Sequence, residues 1–230
     1  MPGLRRGRRG VMPQNIKTAR IKFEKTGPAV YISHLDLVRL FSRSLARAKI
    51  EVAHSEGFNP RPKIVFAGAI PLGIESLCEF ADIKTPETQI WKTPETLSGF
   101  FPQGINIREI YEPAADFKNI AATKFQIFIK PDKAGASEFS EFNEFKALFS
   151  GDMPAANKKG TVINLKDYIL DMNIAENSGG YILINAVVKT SPEAYLSPET
   201  IIGFVKEKYT IRDNFVKKVE TYDKNGSIFI

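Results

Sequence analysis

His34, His54 and Cys78 are the chain's only histidines and its only cysteine, so they bound its acid/base, thiol and soft-metal chemistry. Imidazole titrates near neutral pH, and two such rings, with Asp36 and Glu56 close by in sequence, could form a general acid/base pair. Each has a plainer reading. His34 falls at the start of a helix near its apolar side, where a capping or hydrogen-bonded core histidine is the commoner outcome, and His54 ends a strand at the rim of a proline-rich loop. Cys78 has no activating motif and reads as a buried structural thiol. One cysteine and two histidines cannot make a four-ligand zinc site or hold an iron-sulfur cluster alone, so no metal site is expected. Asp82, Asp167 and Asp171 read as solvent-facing strand carboxylates rather than ligands. Phosphate-cradling, dinucleotide, zinc-protease, cluster-binding and nucleophile-elbow motifs are all missing from the sequence.

The more informative segment is HSEGFNPRPKIVFAGAIPLG, residues 54–73. Gly57 permits positive φ, Asn59 precedes Pro60, and Arg61 is held between Pro60 and Pro62, so one arginine is presented on stiff backbone. This is either a structural turn or a preorganised anion or RNA site, with Arg61 and Lys63 on phosphate, Asn59 beside them and Phe58 as a stacking face. Charge distribution bears on the choice. The net charge is +6, but residues 1–20 hold six basic and no acidic side chains, leaving residues 21–230 neutral with 26 of each sign. Within that body, residues 21–66 carry a local +4 and contain the sole candidate basic patch.

Elements must position these groups. Residues 1–15 lack a hydrophobic period and a secretory core, and read as a basic arm whose role, if any, is phosphate binding. IKTARIKFEKT alternates as a strand. Ser33 then caps a helix running to about Ala48, with Leu37, Phe41, Leu45 and Ala48 inward and Arg39, Arg43 and Arg47 on the opposite side. Strands follow at IEVAH, KIVFAG and CEFADIK, then a helix around 87–101 and a strand at INIREIYE. After a boundary segment at 114–123, the second half repeats the order. KFQIFIK is a strand, SEFSEFNEFKALFS a helix with Phe142, Phe145 and Phe149 on one side, and residues 165–190 a hairpin turning at 177–180. A helix capped by Ser197 with Pro198 at its first position precedes a last strand at VKKVETYD. The expected fold is therefore α+β, tandem ferredoxin-like (βαββαβ) domains over 16–114 and 123–230, with two antiparallel sheets. No apolar run approaches the roughly 18 residues of a spanning helix, and a cytoplasmic protein is the default expectation.

The motifs FEKTG (23–27), ISHLDL (32–37), GFNPRPKI (57–64) and PLGIES (71–76) together resemble the bacterial radical SAM-linked proteins, which are encoded beside or fused to a B12-binding-type radical SAM protein. The resemblance covers about residues 19–84. It implies an accessory module whose partner is a radical SAM protein, with SAM, an iron-sulfur cluster and cobalamin expected on that partner and not on this chain. The expected function is a non-catalytic module that presents RNA (tRNA or rRNA) or another anionic substrate, through Arg39, Arg43, Arg47, Phe58, Asn59, Arg61 and Lys63. An endoribonuclease-like RNA-processing enzyme using His34 and His54 is the alternative, by analogy with CRISPR repeat-processing enzymes, and a purely protein-binding partner domain is the third.

Because one thiolate cannot replace the three or four that hold a cluster, anaerobic reconstitution of the isolated chain should give no stoichiometric iron and no cluster absorbance band. A bound cluster would overturn the accessory reading.

Overall fold

The computed structural model describes residues 15–68, 71–87, 94–132, 138–157 and 160–230. The first half contains β1 (Ile16–Lys25), α1 (His34–Arg47), β2 (Ile64–Phe66), β3 (Glu75–Pro86), α2 (Pro94–Ser98) and β4 (Ile105–Tyr111). The second contains β5 (Ile120–Pro131), α3 (Glu138–Ala147), β6 (Pro154–Ala156), β7 (Val162–Asn164), β8 (Ile169–Asn177), β9 (Tyr181–Lys189), α4 (Pro198–Lys206) and β10 (Ile211–Asp223).

Alternation along β1 sends Ala19, Ile21 and Phe23 into one core, with Leu37, Phe41 and Leu45 of α1 packed against them. The side chains expected on the inner face of α1 are thus the buried ones. In the second half, Ile127, Ile129, Ile184 and Val188 pack with Phe145 and Ile201 in a separate cluster. Such segregated cores are what two amphipathic layers give when each half supplies its own helices.

The expectation of two separate sheets is corrected: all the long strands join one sheet of eight, in the order β4-β1-β3-β10-β5-β9-β8, with β2 also on β3. Pairing is antiparallel except at the seam, where β10 runs parallel to β3 through Lys217 opposite Glu75 and Lys218 opposite Ser76. Parallel pairing of strands so distant in sequence leaves no local signal for a reader of the sequence. Within each half the strand order is still regular. The second runs β10-β5-β9-β8 and the first β4-β1-β3-β2.

Other expectations change in detail. IEVAH forms no strand; it contributes buried Ile50 and Val52 and a single bridge between His54 and Pro62. The helix expected over 87–101 is confined, among described residues, to α2, residues 88–93 lying outside them. The basic arm lies outside them too, apart from residue 15. Of the boundary segment, residues from Ile120 onward already belong to β5. Ser197 is the N-cap residue of α4, but its hydroxyl bonds the Glu199 carboxylate instead of a backbone amide. The 177–180 turn joins β8 to β9 as expected, with Gly179 and Gly180 both at φ of 77°.

Asp82 is not a solvent-facing carboxylate. It takes two hydrogen bonds, 2.8 and 2.9 Å, from Arg20, whose side chain is 0% exposed and whose guanidinium lies 4.2 Å from the Phe117 ring and 4.8 Å from Phe229. Arg20 therefore ties β1 and β3 to the segment before β5 and to the residues after β10. Removing one member of such a buried pair strands the other's charge, so Asp82→Asn should lower unfolding free energy by about 3 kcal/mol. Urea denaturation measures it, and a loss below about 1 kcal/mol would show that the aromatic sandwich, not the ion pair, holds Arg20.

Candidate functional site

Local hydrogen bonds set the start of α1. The Ser33 hydroxyl accepts from the Asp36 amide at 3.2 Å, as a capping residue should, and Asp36 pairs with Arg39 at 2.9 Å. The Ser33 hydroxyl and then Arg39 hold the Asp36 carboxyl below the usual carboxylate range. His34 is exposed, and its ring meets the Phe66 edge at 5.6 Å. Phe66 also packs on Phe41 at 5.1 Å, so β2 and α1 share one aromatic cluster and hold a fixed relation.

The loop before β2 is pinned at its base. The Ala53 amide donates to Lys84, Lys63 to Ala53, and Ser55 to Arg61, at 2.7 to 2.8 Å, while the Arg61 amide donates to the Ser55 hydroxyl at 3.0 Å. Gly57, at φ of 124°, turns the tip. The result is a short, hairpin-like projection with Phe58 fully exposed at its end and Asn59, Arg61 and Lys63 exposed beside it. The Phe58 ring is thus held in water and packs on none of the described aromatic rings.

The expected contact residues divide. Arg43, Arg61 and Lys63 are exposed, with no ion-pair partner among the described residues. Arg39 is exposed but paired with Asp36. Arg47 bonds the Phe100 carbonyl at 2.7 Å and the Ser44 hydroxyl at 3.2 Å, which gives it a structural task behind α2. His54 is exposed beside Pro62, and no hydrogen bond or ring contact joins it to His34 among the described residues.

A second polar site was missed by the sequence reading. At the seam, Glu79 is 4% exposed and accepts from Lys218 at 3.0 Å and from the Ser76 hydroxyl at 2.7 Å. Between Phe23 and Lys25, β3 carries one residue more than β1, a bulge that lets Ser76 reach Glu79. Burial opposes the Lys218 charge, but Glu79 beside it keeps the ammonium above the ordinary lysine range. Lys25 is also buried, its ammonium donating to the Val30 carbonyl at 3.3 Å, and desolvation lowers its affinity for a proton despite the nearby Glu79. Cys78 is the buried thiol expected; burial pushes it up, and it lies 3.5 Å from the Thr221 hydroxyl. Beside these groups opens a cleft of about 100 Å³ between the halves, lined in part by Glu79, Thr123, Thr190, Tyr195, Lys218 and Thr221. A signal was present in the sequence: Lys25 continues the inward positions of Ala19, Ile21 and Phe23, and Glu79 precedes inward Ala81 and Ile83 in the same alternation.

No helix among the described residues is long and apolar enough to cross a membrane, and no three of their His, Cys, Asp or Glu side chains stand together as metal ligands would. No curated protein matches the chain. Among solved structures, it is similar to a chain of a Cbf5-Nop10-Gar1 complex (9% identity, TM-score 0.47) and to one of an archaeal box H/ACA sRNP Nop10-Cbf5 complex (10%, 0.43). These alignments cover 88% and 87% of this chain but 48% and 46% of theirs, so it spans about half their length. The model of a bacterial family matches residues 18–198, taking in β1 through the start of α4, and the chain belongs to that family, described as uncharacterized proteins conserved in bacteria (DUF2344).

Proposed function

We propose that this chain is a non-catalytic RNA-binding module acting beside a radical SAM protein. The observation that carries the RNA reading is the loop: Phe58 stands fully exposed on pinned backbone, with Arg61 and Lys63 exposed beside it and free of ion pairs among the described residues. A ring face offers stacking to an unpaired base, and two free cations offer phosphate contacts, the two kinds of contact that single-stranded RNA takes up. Preorganisation by Pro60, Pro62 and the Ser55–Arg61 bonds reduces the ordering entropy lost on binding. Arg43 on α1 extends the surface, while Arg39 and Arg47 contribute less because their charges are engaged. The partner is supported by the resemblance of four motifs in residues 23–76; SAM, the cluster and cobalamin would sit on that partner. We read the two halves as fused ferredoxin-like units, because each keeps the 4-1-3-2 strand order of a split β-α-β unit.

Binding of a single-stranded RNA should be measured by fluorescence anisotropy across a salt series. Arg61→Ala is expected to weaken it by about 1 to 3 kcal/mol and to lower the salt slope by about one unit. Phe58→Ala should cost a similar 1 to 3 kcal/mol with the slope unchanged, as loss of stacking does. Negligible affinity at low salt would refute the RNA reading and leave the loop as a protein contact. Cleavage of the RNA that is lost in His34→Ala or His54→Ala would establish the enzyme reading instead.

A further inference from the structure

We propose that the seam cleft is a pocket for a single nucleobase, a small planar ring with adjoining N–H and C=O groups, supplied by the RNA held at the loop; this rests on the RNA reading above.

Hydrogen-bonding capacity is left unused at this cleft among the described residues. Lys218 has three N–H donors and gives one to Glu79. Glu79 receives both of its bonds, from Lys218 and from Ser76, at Oε1, leaving Oε2 without a partner among the described residues. The Tyr195 hydroxyl, from the other wall, also has none, and its ring is half exposed. The Lys218 ammonium and the Glu79 carboxylate, joined from Nζ to Oε1 at 3.0 Å, thus offer remaining donors and an acceptor oxygen side by side at a cleft. Their complement is a ligand edge that presents an acceptor next to a donor.

Other ligand chemistries fit less well. A free anion would be attracted by Lys218 but would face the Glu79 carboxylate, and a metal cation would face the ammonium. An extended apolar ligand is excluded by size, because about 100 Å³ is roughly three water volumes, the scale of one small ring. Ile120, Phe125, Pro71 and Pro198 supply apolar surface for ring faces. Reading a displaced base by hydrogen bonds to its edge and apolar contact with its faces is the usual physics of such recognition.

The test uses the intact chain with free nucleosides (uridine, cytidine, adenosine, guanosine) and inorganic phosphate as probes, following backbone amide shifts. At least one nucleoside should shift amides of residues 67, 68, 190, 195 and 218, and phosphate should not. Substituting Glu79 or Lys218 threatens the seam itself, so the variant of choice is Gly68→Leu. Gly68 lines the cleft, and a Cβ there meets nothing within 4 Å. It should weaken the nucleoside by about tenfold or more, or 1.4 kcal/mol, with the unfolding midpoint retained. Tyr195→Phe should weaken it in the same direction. Two failures are distinguishable: if RNA binds but no nucleoside shifts the cleft amides, the pocket is refuted and the loop reading stands. If a nucleoside binds at the cleft but RNA does not bind, the RNA reading falls and the link between the two sites with it. Phosphate shifting the same amides would also overturn the nucleobase assignment.

Discussion

The pair between Glu79 and Lys218 is the contact on which the single sheet depends. The two halves meet where β3 and β10 run side by side for two residues each, too short a ladder to hold them by backbone bonds alone. Among the described residues two ion pairs cross that line, Lys218 to Glu79 at 3.0 Å and Lys217 to Glu75 at 3.3 Å. They are unequal. Lys217 and Glu75 are each about one-third exposed, so water screens them, whereas the Glu79 side chain is 6% exposed and Lys218 14%. Breaking a buried pair leaves an uncompensated charge worth about 3 to 5 kcal/mol, a large share of the 5 to 15 kcal/mol that stabilises a typical domain. Apolar contacts reinforce the seam, notably Phe80 against Phe229 at 5.4 Å.

That constraint explains why the polar cleft lies where it does. Two helical layers with separate cores cannot interpenetrate, so a gap remains above the strands that join them, and the groups lining it are those that made the joint. The edge of β3 that meets β10 also pairs with β2, which is held to α1 through Phe66 and leads from the pinned loop, with its exposed ring, to Ala67 and Gly68 at the cleft. The site that binds phosphate and stacks a base in our reading is built on one half alone, while the cleft needs both.

Much of this was legible where the signal is local. The 3.6-residue period of α1, the Ser33 cap and the turn at 177–180 are properties of short segments, and the structure places them as the residues imply. The seam was not legible, because Glu75 and Lys217 are neighbours only once both halves have folded. Asp82 read as a solvent carboxylate because alternation gives the side of a strand and not what covers it; Phe117 and Phe229 cover that side and close over Arg20. Lys25 and Glu79 occupied inward positions in plain view, but a charged residue on an inward register is read as an error of phase until its partner is known. Arg47 shows the converse limit: its helical position is right, yet a carbonyl of a distant segment takes its charge.

In our reading, single-stranded RNA lies on the pinned loop and the adjoining face of α1. The most direct measurement is amide and side-chain shift mapping of the labelled protein titrated with a short single-stranded RNA. The account predicts the largest changes at the Phe58 ring and the amides of residues 55–63, with smaller ones along α1 at Arg43. Saturable binding that shifts other surfaces and leaves residues 55–63 unmoved would contradict it.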